Sequence, residues 1–371
     1  MMERRQIVEF WDGAGDGLLV TLVGVQGSSY RRVGARLLAA GSGGGGSETR
    51  YAGTISGGCL EADVVRKAAW MVREGAVVER YSMEFDDTAE IPFGLGCGGT
   101  VDLLFEPVGA PEGVALMEAL RGSLEGRVST VVSFLPGGGR GLRRLVLDGA
   151  GEVVFASAGL SAEKIRCARG LTPGETYEGR FVERLEAPQS LVVLGAGDDA
   201  KPLVRMAGLM GWSVVVADGR GQLAREERFP GAAVRVVSAE TELGVNAADA
   251  VVLMTHSYEQ DRELLVRVLA VGPRYVGLLG SRHRSSLLVS EAAAMLRRTV
   301  EDCCAALYAP IGLNLGGDGP EAIALAIVAE VQSVCEGHAP ERPRLTPEEI
   351  ARQLEKGGVS RYLSAQCALG A

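Results

Sequence analysis

The sequence predicts an α/β protein in two parts: a mixed α+β domain over residues 1–188 and a doubly wound, parallel-sheet domain over residues 189–371. Three observations point there. At 371 residues the chain exceeds what one hydrophobic core serves, with about 150 residues per domain as the working size. From Gln189 onward, apolar strands of buried type alternate with helical segments, the pattern of βαβ units around a parallel sheet. Finally, Leu191-Val192-Val193-Leu194 runs into Gly195-Ala196-Gly197-Asp198-Asp199-Ala200, a glycine turn between a strand and a helix.

Alternation and turn residues place strands near Leu18 to Val25, Arg36 to Ala40 and Tyr51 to Ser56, followed by a helix from Leu60 to Val72. Strands near Val77 to Met83 and Thr100 to Phe105 come next. The Gly/Ser run at 41–47 reads as a flexible hairpin tip. From Pro111 to Pro188 the patterns weaken to a helix near Val114 to Leu120 and strands near Val128 to Phe134 and Leu142 to Leu147. This stretch reads as the remainder of the first domain plus a connector. In the second domain, strands fall at Ser190 to Leu194, Ser213 to Ala217, Val234 to Val237, Ala250 to Met254 and Tyr275 to Leu279. A helix from Pro320 through Val334 presents Ile323, Ile327, Val328 and Val331 to the sheet, and Thr346-Pro347-Glu348-Glu349 opens another helix.

Composition narrows the function. Hydrophobic residues at 47% and charged residues at 23% describe a normal globular interior. The net charge of −9 argues against a phosphate-backbone binder, so nucleic acid is not an expected partner. No apolar run reaches the roughly 18 residues of a membrane span, and the first residues lack an export signal's apolar core, so a soluble, cytoplasmic protein is expected. Seven cysteines without a CxxC pair make neither a disulfide scaffold nor a zinc ribbon. A homodimer is the default assembly.

Two turns carry thiols among glycines. Ser56-Gly57-Gly58-Cys59-Leu60-Glu61 joins a strand to a helix, which places Cys59 in the first helical turn, where oriented amides favour a thiolate. Gly96-Cys97-Gly98-Gly99 precedes the strand from Thr100 and leaves a sulfur approachable by a bulky ligand. Cys59 and Cys97 read either as a reactive or metal-coordinating pair, walled by Gly57, Gly58, Gly98 and Gly99, or as small buried hydrophobes. Gly27-Ser28-Ser29-Tyr30-Arg31-Arg32-Val33-Gly34-Ala35-Arg36 brings three guanidiniums together, so Arg31, Arg32 and Arg36 read as an anion site or as a charged hairpin edge. In the second domain Gly195 and Gly197 would approach a pyrophosphate, Asp218 would bond a ribose hydroxyl and Arg220 would meet a phosphate. Asp198 and Asp199, at the same helix start, would oppose such an anion. His256 and Asp261 follow the fourth strand at the carboxyl edge, as a proton carrier or as capping groups. Ser281 and Arg282 start a helix as a phosphate site or a plain cap.

Taken in order, Gly27-Ser28-Ser29 with Gly34-Ala35, Gly57-Gly58-Cys59-Leu60-Glu61, Gly96-Cys97-Gly98-Gly99, the Gly195 loop, Thr255-His256-Ser257-Tyr258-Glu259-Gln260-Asp261, Tyr275-Val276-Gly277-Leu278-Leu279-Gly280-Ser281-Arg282 and Ala309-Pro310-Ile311-Gly312-Leu313-Asn314 resemble the XdhC/CoxI family, accessory proteins of xanthine dehydrogenase and related molybdenum hydroxylases. The resemblance spans both ends of the chain and lapses between Pro111 and Pro188. It implies a C-terminal Rossmann domain, and a protein that binds molybdenum cofactor, supports its sulfuration with a cysteine desulfurase and inserts it into a xanthine dehydrogenase-type enzyme. Cys59 and Cys97 would then lie near molybdenum and the arginines near the cofactor's phosphate. Two other readings stand beside it: an NAD(P)-dependent oxidoreductase using His256 as acid/base, and a scaffold for a sulfur donor. A complete xanthine dehydrogenase is excluded, because the chain has no cysteine cluster for iron–sulfur centres.

Overall fold

The computed structural model describes residues 1–14, 17–40, 50–82, 99–137, 141–174, 176–177, 179–238, 240–338 and 346–357. The Gly/Ser run at 41–47 lies outside them, as do Cys97 and Gly98. The chain divides into two compact units, Met1–Pro188 and Gln189–Ala371. Among the described residues no helix is long and apolar enough to cross a membrane.

The first unit opens with helix α1 (Met2–Ala14), which is not among the expected elements although Ile7, Val8, Phe10 and Trp11 recur at helical spacing and face the core. Strands β1 (Leu18–Gln26), β2 (Arg36–Ala40) and β3 (Arg50–Gly53) follow, then α2 (Glu61–Met71), β4 (Val77–Ser82) and β5 (Thr100–Pro107). They form an antiparallel sheet in the order β3-β2-β1-β5-β4. The run Leu18-Leu19-Val20 is apolar at every position because both faces of β1 are covered. Leu18, Val20 and Leu22 pack with Leu60 and Val64 at the start of α2, whereas Leu19 packs with Ile7 and Val8 of α1. Strand β3 stops at Gly53, short of the expected Ser56. Its φ is 86°, and a β-carbon there would overlap the Arg36 carbonyl.

Residues 111–188 hold more than the expected helix and two strands. Helix α3 (Pro111–Leu124) leads into β6 (Ser129–Phe134), β7 (Arg143–Asp148), β8 (Val153–Ala156), α4 (Ala162–Arg169), β9 (Thr176–Tyr177) and β10 (Arg180–Leu185). The five strands make a second sheet, β8-β7-β6-β10-β9. Helices α1 and α3 lie between the two sheets of this unit: Leu116, Met117 and Leu120 of α3 share one core with Leu19 and Leu38 of the first sheet and Val131, Val146 and Leu185 of the second. Strands β6 and β7 match the two expected here; β10 is not among the expected strands because the buried Glu183 breaks its apolar pattern.

The second unit carries five parallel strands, β11 (Ser190–Leu194), β12 (Ser213–Asp218), β13 (Ala233–Val236), β14 (Ala250–Leu253) and β15 (Tyr275–Leu278), ordered β13-β12-β11-β14-β15. Helices α5 (Ala200–Leu209), α6 (Tyr258–Val271), α7 (Arg282–Leu296), α8 (Val300–Ala305), α9 (Pro320–Cys335) and α10 (Pro347–Gly357) complete it. Leu191 and Val193 pack toward α5 and α9, and Val192 and Leu194 toward α6 and α7. This is the doubly wound fold expected, with helices on both faces. One detail of α9 differs: Ile323 is 38% exposed and Ala324 takes its place beside Ile327, Val328 and Val331. The order reverses between β11 and β14, so the crevice at their carboxyl ends is where such sheets hold ligands.

Candidate functional site

In the first unit three motif segments meet. Gly99 enters β5 against the loop after β1, and a β-carbon on it would overlap the Ser28 carbonyl oxygen. Gly57 lies beneath the ring of Tyr30, whose Cδ1 would stand 3.1 Å from a β-carbon there. With φ of 141° and 108°, Gly57 and Gly58 occupy backbone that other residues rarely adopt. Gly57→Ala is expected to cost about 1–2 kcal/mol while leaving the folded spectrum intact, a loss thermal denaturation would show; an unchanged Tm would mean the loop bears no strain.

Helix α2 begins at Glu61 with Leu60 at its N-cap, so Cys59 precedes the helix and is not in its first turn. The amides expected to favour a Cys59 thiolate serve another group. The Glu61 carboxylate turns back into the loop and accepts from the backbone N–H groups of Ile55 at 3.0 Å, Ser56 at 2.9 Å, Gly57 at 3.3 Å, Gly58 at 3.0 Å and Leu60 at 3.2 Å. It also accepts from the hydroxyls of Thr54 and Ser56. Burial alone would push this carboxyl up, but the hydrogen bonds from Ser56, Thr54 and the loop amides outweigh it and hold it at about 2. Ser56 Oγ in turn accepts from the Cys59 N–H at 3.1 Å. The result is a fixed loop with its thiol exposed; the buried alternative for Cys59 does not hold. Cys97 and Gly98, the expected partner thiol and wall, fall outside the described residues. Among the described residues no group of three or more His, Cys, Asp or Glu side chains could hold a metal ion.

The three arginines are not equivalent. Arg36 is buried, paired with Glu183 and bonded to the Gly34 carbonyl at 2.9 Å, and Arg31 pairs with Glu3. Arg32 is exposed. Glu3 and Glu183 are invisible as partners in sequence, since each lies on a distant element.

In the second unit the Gly195 loop follows β11, and a β-carbon on Gly195 would overlap the Met254 carbonyl, so the glycine is required by the neighbouring strand end. Asp218 does not wait for a ribose. Its carboxylate accepts from the Ala196 N–H at 2.7 Å and from Arg220 through N at 2.8 Å, Nε at 2.9 Å and Nη2 at 2.8 Å. Burial works against this carboxylate, yet the Arg220 bond and the two amides bring it below the usual range. Arg220 is thereby held on Asp218 and not presented to a phosphate; its Nη2 also donates to the Thr255 carbonyl at 3.2 Å.

Asp198 points away from the loop to Lys201 at 2.7 Å and Arg228 at 2.9 Å. Asp199 stays on it, with Oδ1 over Gly197 and Oδ2 2.7 Å from His256 Nε2. His256 has a φ of 60° and a side chain 60% exposed. Asp261, the other expected proton carrier, is sealed beneath it and accepts from Thr255 Oγ1 and Arg284 Nη2, both at 2.7 Å. Ser281 caps α7 by accepting from the Arg284 N–H at 3.3 Å, and Arg282 makes a double contact with Glu349 at 2.8 Å; both play structural parts. With the Ala196 amide taken by Asp218 and a carboxylate over Gly197, this arrangement does not fit the pyrophosphate of NAD(P).

Comparison with known proteins agrees with the order of these motifs. The model of the XdhC and CoxI family matches residues 11–82, and that of the XdhC Rossmann domain matches residues 191–331. The chain belongs to the XdhC and CoxI family. The family's matched segments contain the arginine loop, the Cys59 loop and the whole Gly195–His256 edge, whereas the second sheet lies between them. Among XdhC/CoxI relatives and neighbours, the chain is 28% identical over 324 residues to a probable xanthine dehydrogenase subunit of Bacillus subtilis, covering 85% of this chain and 92% of that protein. It is 24% identical over 322 residues to the molybdenum cofactor insertion chaperone PaoD of Escherichia coli, covering 85% and 83%. A crystal structure from Bacillus halodurans, named as a xanthine dehydrogenase, superposes with a TM-score of 0.74 at 27% identity, covering 93% of this chain and 99% of that one.

Proposed function

We propose that this protein is an accessory factor that binds molybdenum cofactor as cargo, shelters it during sulfuration and inserts it into a xanthine dehydrogenase-type molybdenum hydroxylase. The observation that carries the reading is the exposed Cys59 on a rigid, glycine-walled loop, in a chain that aligns over 85% of its length with a molybdenum cofactor insertion chaperone. A thiolate is a soft ligand suited to molybdenum. Gly58, with open space where a side chain would stand, leaves room beside the thiol for a wide pterin, and Glu61 keeps the loop open without spending the thiol. In this reading a cysteine desulfurase supplies sulfur while the loop excludes water from the metal. The NAD(P)-dependent alternative draws no support from the Gly195 loop, whose amide and glycine face are engaged by Asp218 and Asp199.

Equilibrium uptake of molybdenum cofactor by the full chain tests this. Cys59→Ala is expected to weaken uptake about tenfold, the equivalent of about 1.4 kcal/mol. Equal uptake by both forms would remove the role of the thiol, and no uptake by the unaltered chain would overturn the carrier reading.

A further inference from the structure

We propose that the cavity under the Tyr30–Arg36 loop is a phosphate-monoester site whose donors are Arg4 and Arg32, with the buried Arg36 adding positive charge. The cavity measures about 490 Å³ and is lined by this loop and by Arg4 and Ile7 of α1, a size that accommodates a small organic ligand. Among the described residues its charges do not balance. Arg4, Arg31, Arg32 and Arg36 line it together with Glu3, and among the described residues the carboxylates paired with these arginines are Glu3 and Glu183. The nearby Glu186 carboxylate is taken by Arg184.

Two donors lack what a guanidinium ordinarily finds. The Arg36 side chain is 7% exposed, and among the described residues its sealed Nε–H has no acceptor, so it adds charge beside the cavity while a buried donor left unmade forfeits its hydration without compensation. Among the described residues Arg4 donates to neutral acceptors, Ser123 Oγ at 2.7 Å and the Glu186 carbonyl at 2.8 Å. Burial first, and then the charge of Arg36, pull Arg4 down to about 10 against the opposing carboxylates of Glu183 and Glu186, which leaves it protonated at neutral pH. Arg32 stands exposed at the same wall.

Two guanidiniums in excess match a phosphate monoester, which carries about −1.5 to −2 charge at neutral pH and accepts the planar fork of arginine in pairs of bonds. Tyr30 lines the same cavity and lies over Gly57 of the thiol loop. Tyr30 thus stands between the cavity and the thiol loop. The identity of the ligand as the cargo rests on the carrier reading above; the anion preference of the cavity stands on its own charges.

Calorimetric titration of the full chain with phenyl phosphate in chloride buffer tests the proposal, with phenyl sulfate as the singly charged comparison. Saturable binding of phenyl phosphate is expected, at least tenfold tighter than phenyl sulfate and weakened about tenfold in Arg4→Gln and in Arg32→Gln. Arg4 also ties α1 to Ser123, so Arg4→Gln loosens that helix as well as the site. Arg32 is exposed, and Arg32→Gln, with its fold checked by circular dichroism, is the deciding variant. Absence of saturable binding, or equal binding by the unaltered chain and Arg32→Gln, overturns the site. Phenyl phosphate binding in a chain that takes up no molybdenum cofactor would uphold the cavity and overturn the carrier reading; cofactor uptake without phenyl phosphate binding would do the reverse.

Discussion

Glu61→Gln is expected to destabilise the first unit by about 3 kcal/mol at neutral pH and to release the Cys59 loop. Glu61 is 2% exposed, and its carboxyl titrates at about 2 in the folded chain against an ordinary value of 4.5. A folded value below the unfolded one means the stabilisation is fully present above about pH 4.5 and disappears as the pH falls toward about 2. A difference of that size corresponds to about 3 kcal/mol. The amide replacement keeps one acceptor oxygen but turns an NH₂ group toward backbone N–H donors, which leaves buried donors unmet. Denaturant unfolding of both forms between pH 6 and pH 2.5 checks this: the unaltered chain should lose stability steeply below about pH 4.5 and the variant should lack that slope. Parallel pH profiles would show that the loop amides find water instead. The rate of Cys59 alkylation should change in the variant as well, because the Cys59 N–H is anchored on Ser56, and the Ser56 hydroxyl on Glu61.

Glu106→Gln or Arg144→Met is expected to cost more, about 3–5 kcal/mol. These two residues join the sheets of the first unit, Glu106 on β5 and Arg144 on β7. The pair is two-pronged, at 2.7 and 3.0 Å, with both side chains 1% exposed. Arg144 also donates to Ser133 Oγ at 3.1 Å and to the Glu112 carbonyl at 2.6 Å. Removing one partner leaves an uncompensated charge in the interior, the costly half of a buried ion pair, whereas replacing both with apolar side chains of similar volume is often neutral. The Glu106→Leu, Arg144→Met double variant should therefore be more stable than either single one in chemical denaturation. Additive losses would mean that Ser133 and the Glu112 carbonyl, left without their donor, dominate the cost.

Which parts of this are legible in sequence follows from the range of the interactions. The Gly57-Gly58-Cys59-Leu60-Glu61 motif is plain, but Glu61 has no assigned role there, because a carboxylate that follows glycines reads as a helix-start residue until the loop is seen wrapped around it. Counting strands places His256 at the carboxyl edge, while its pairing with Asp199 depends on β14 lying beside β11. Asp218 and Arg220 read as ligand contacts, since nothing in their spacing reveals that they hold each other. Arg4 gives no signal of its own: it lies on α1, and its nearness to Arg36 depends on how that helix packs against β2.

The sequence by itself determined the doubly wound sheet of the second unit, the strands of the first sheet and the order of the glycine motifs. Those features rest on local regularities: strands buried on both faces are written as continuous apolar runs, and turns need glycine where a side chain will not fit. Only the tertiary structure decided that residues 111–188 form a sheet and which charges cancel. Arg36 and Glu183 are 147 positions apart and Arg144 and Glu106 are 38 apart, and a Coulomb interaction depends on distance in space, for which the chain carries no period.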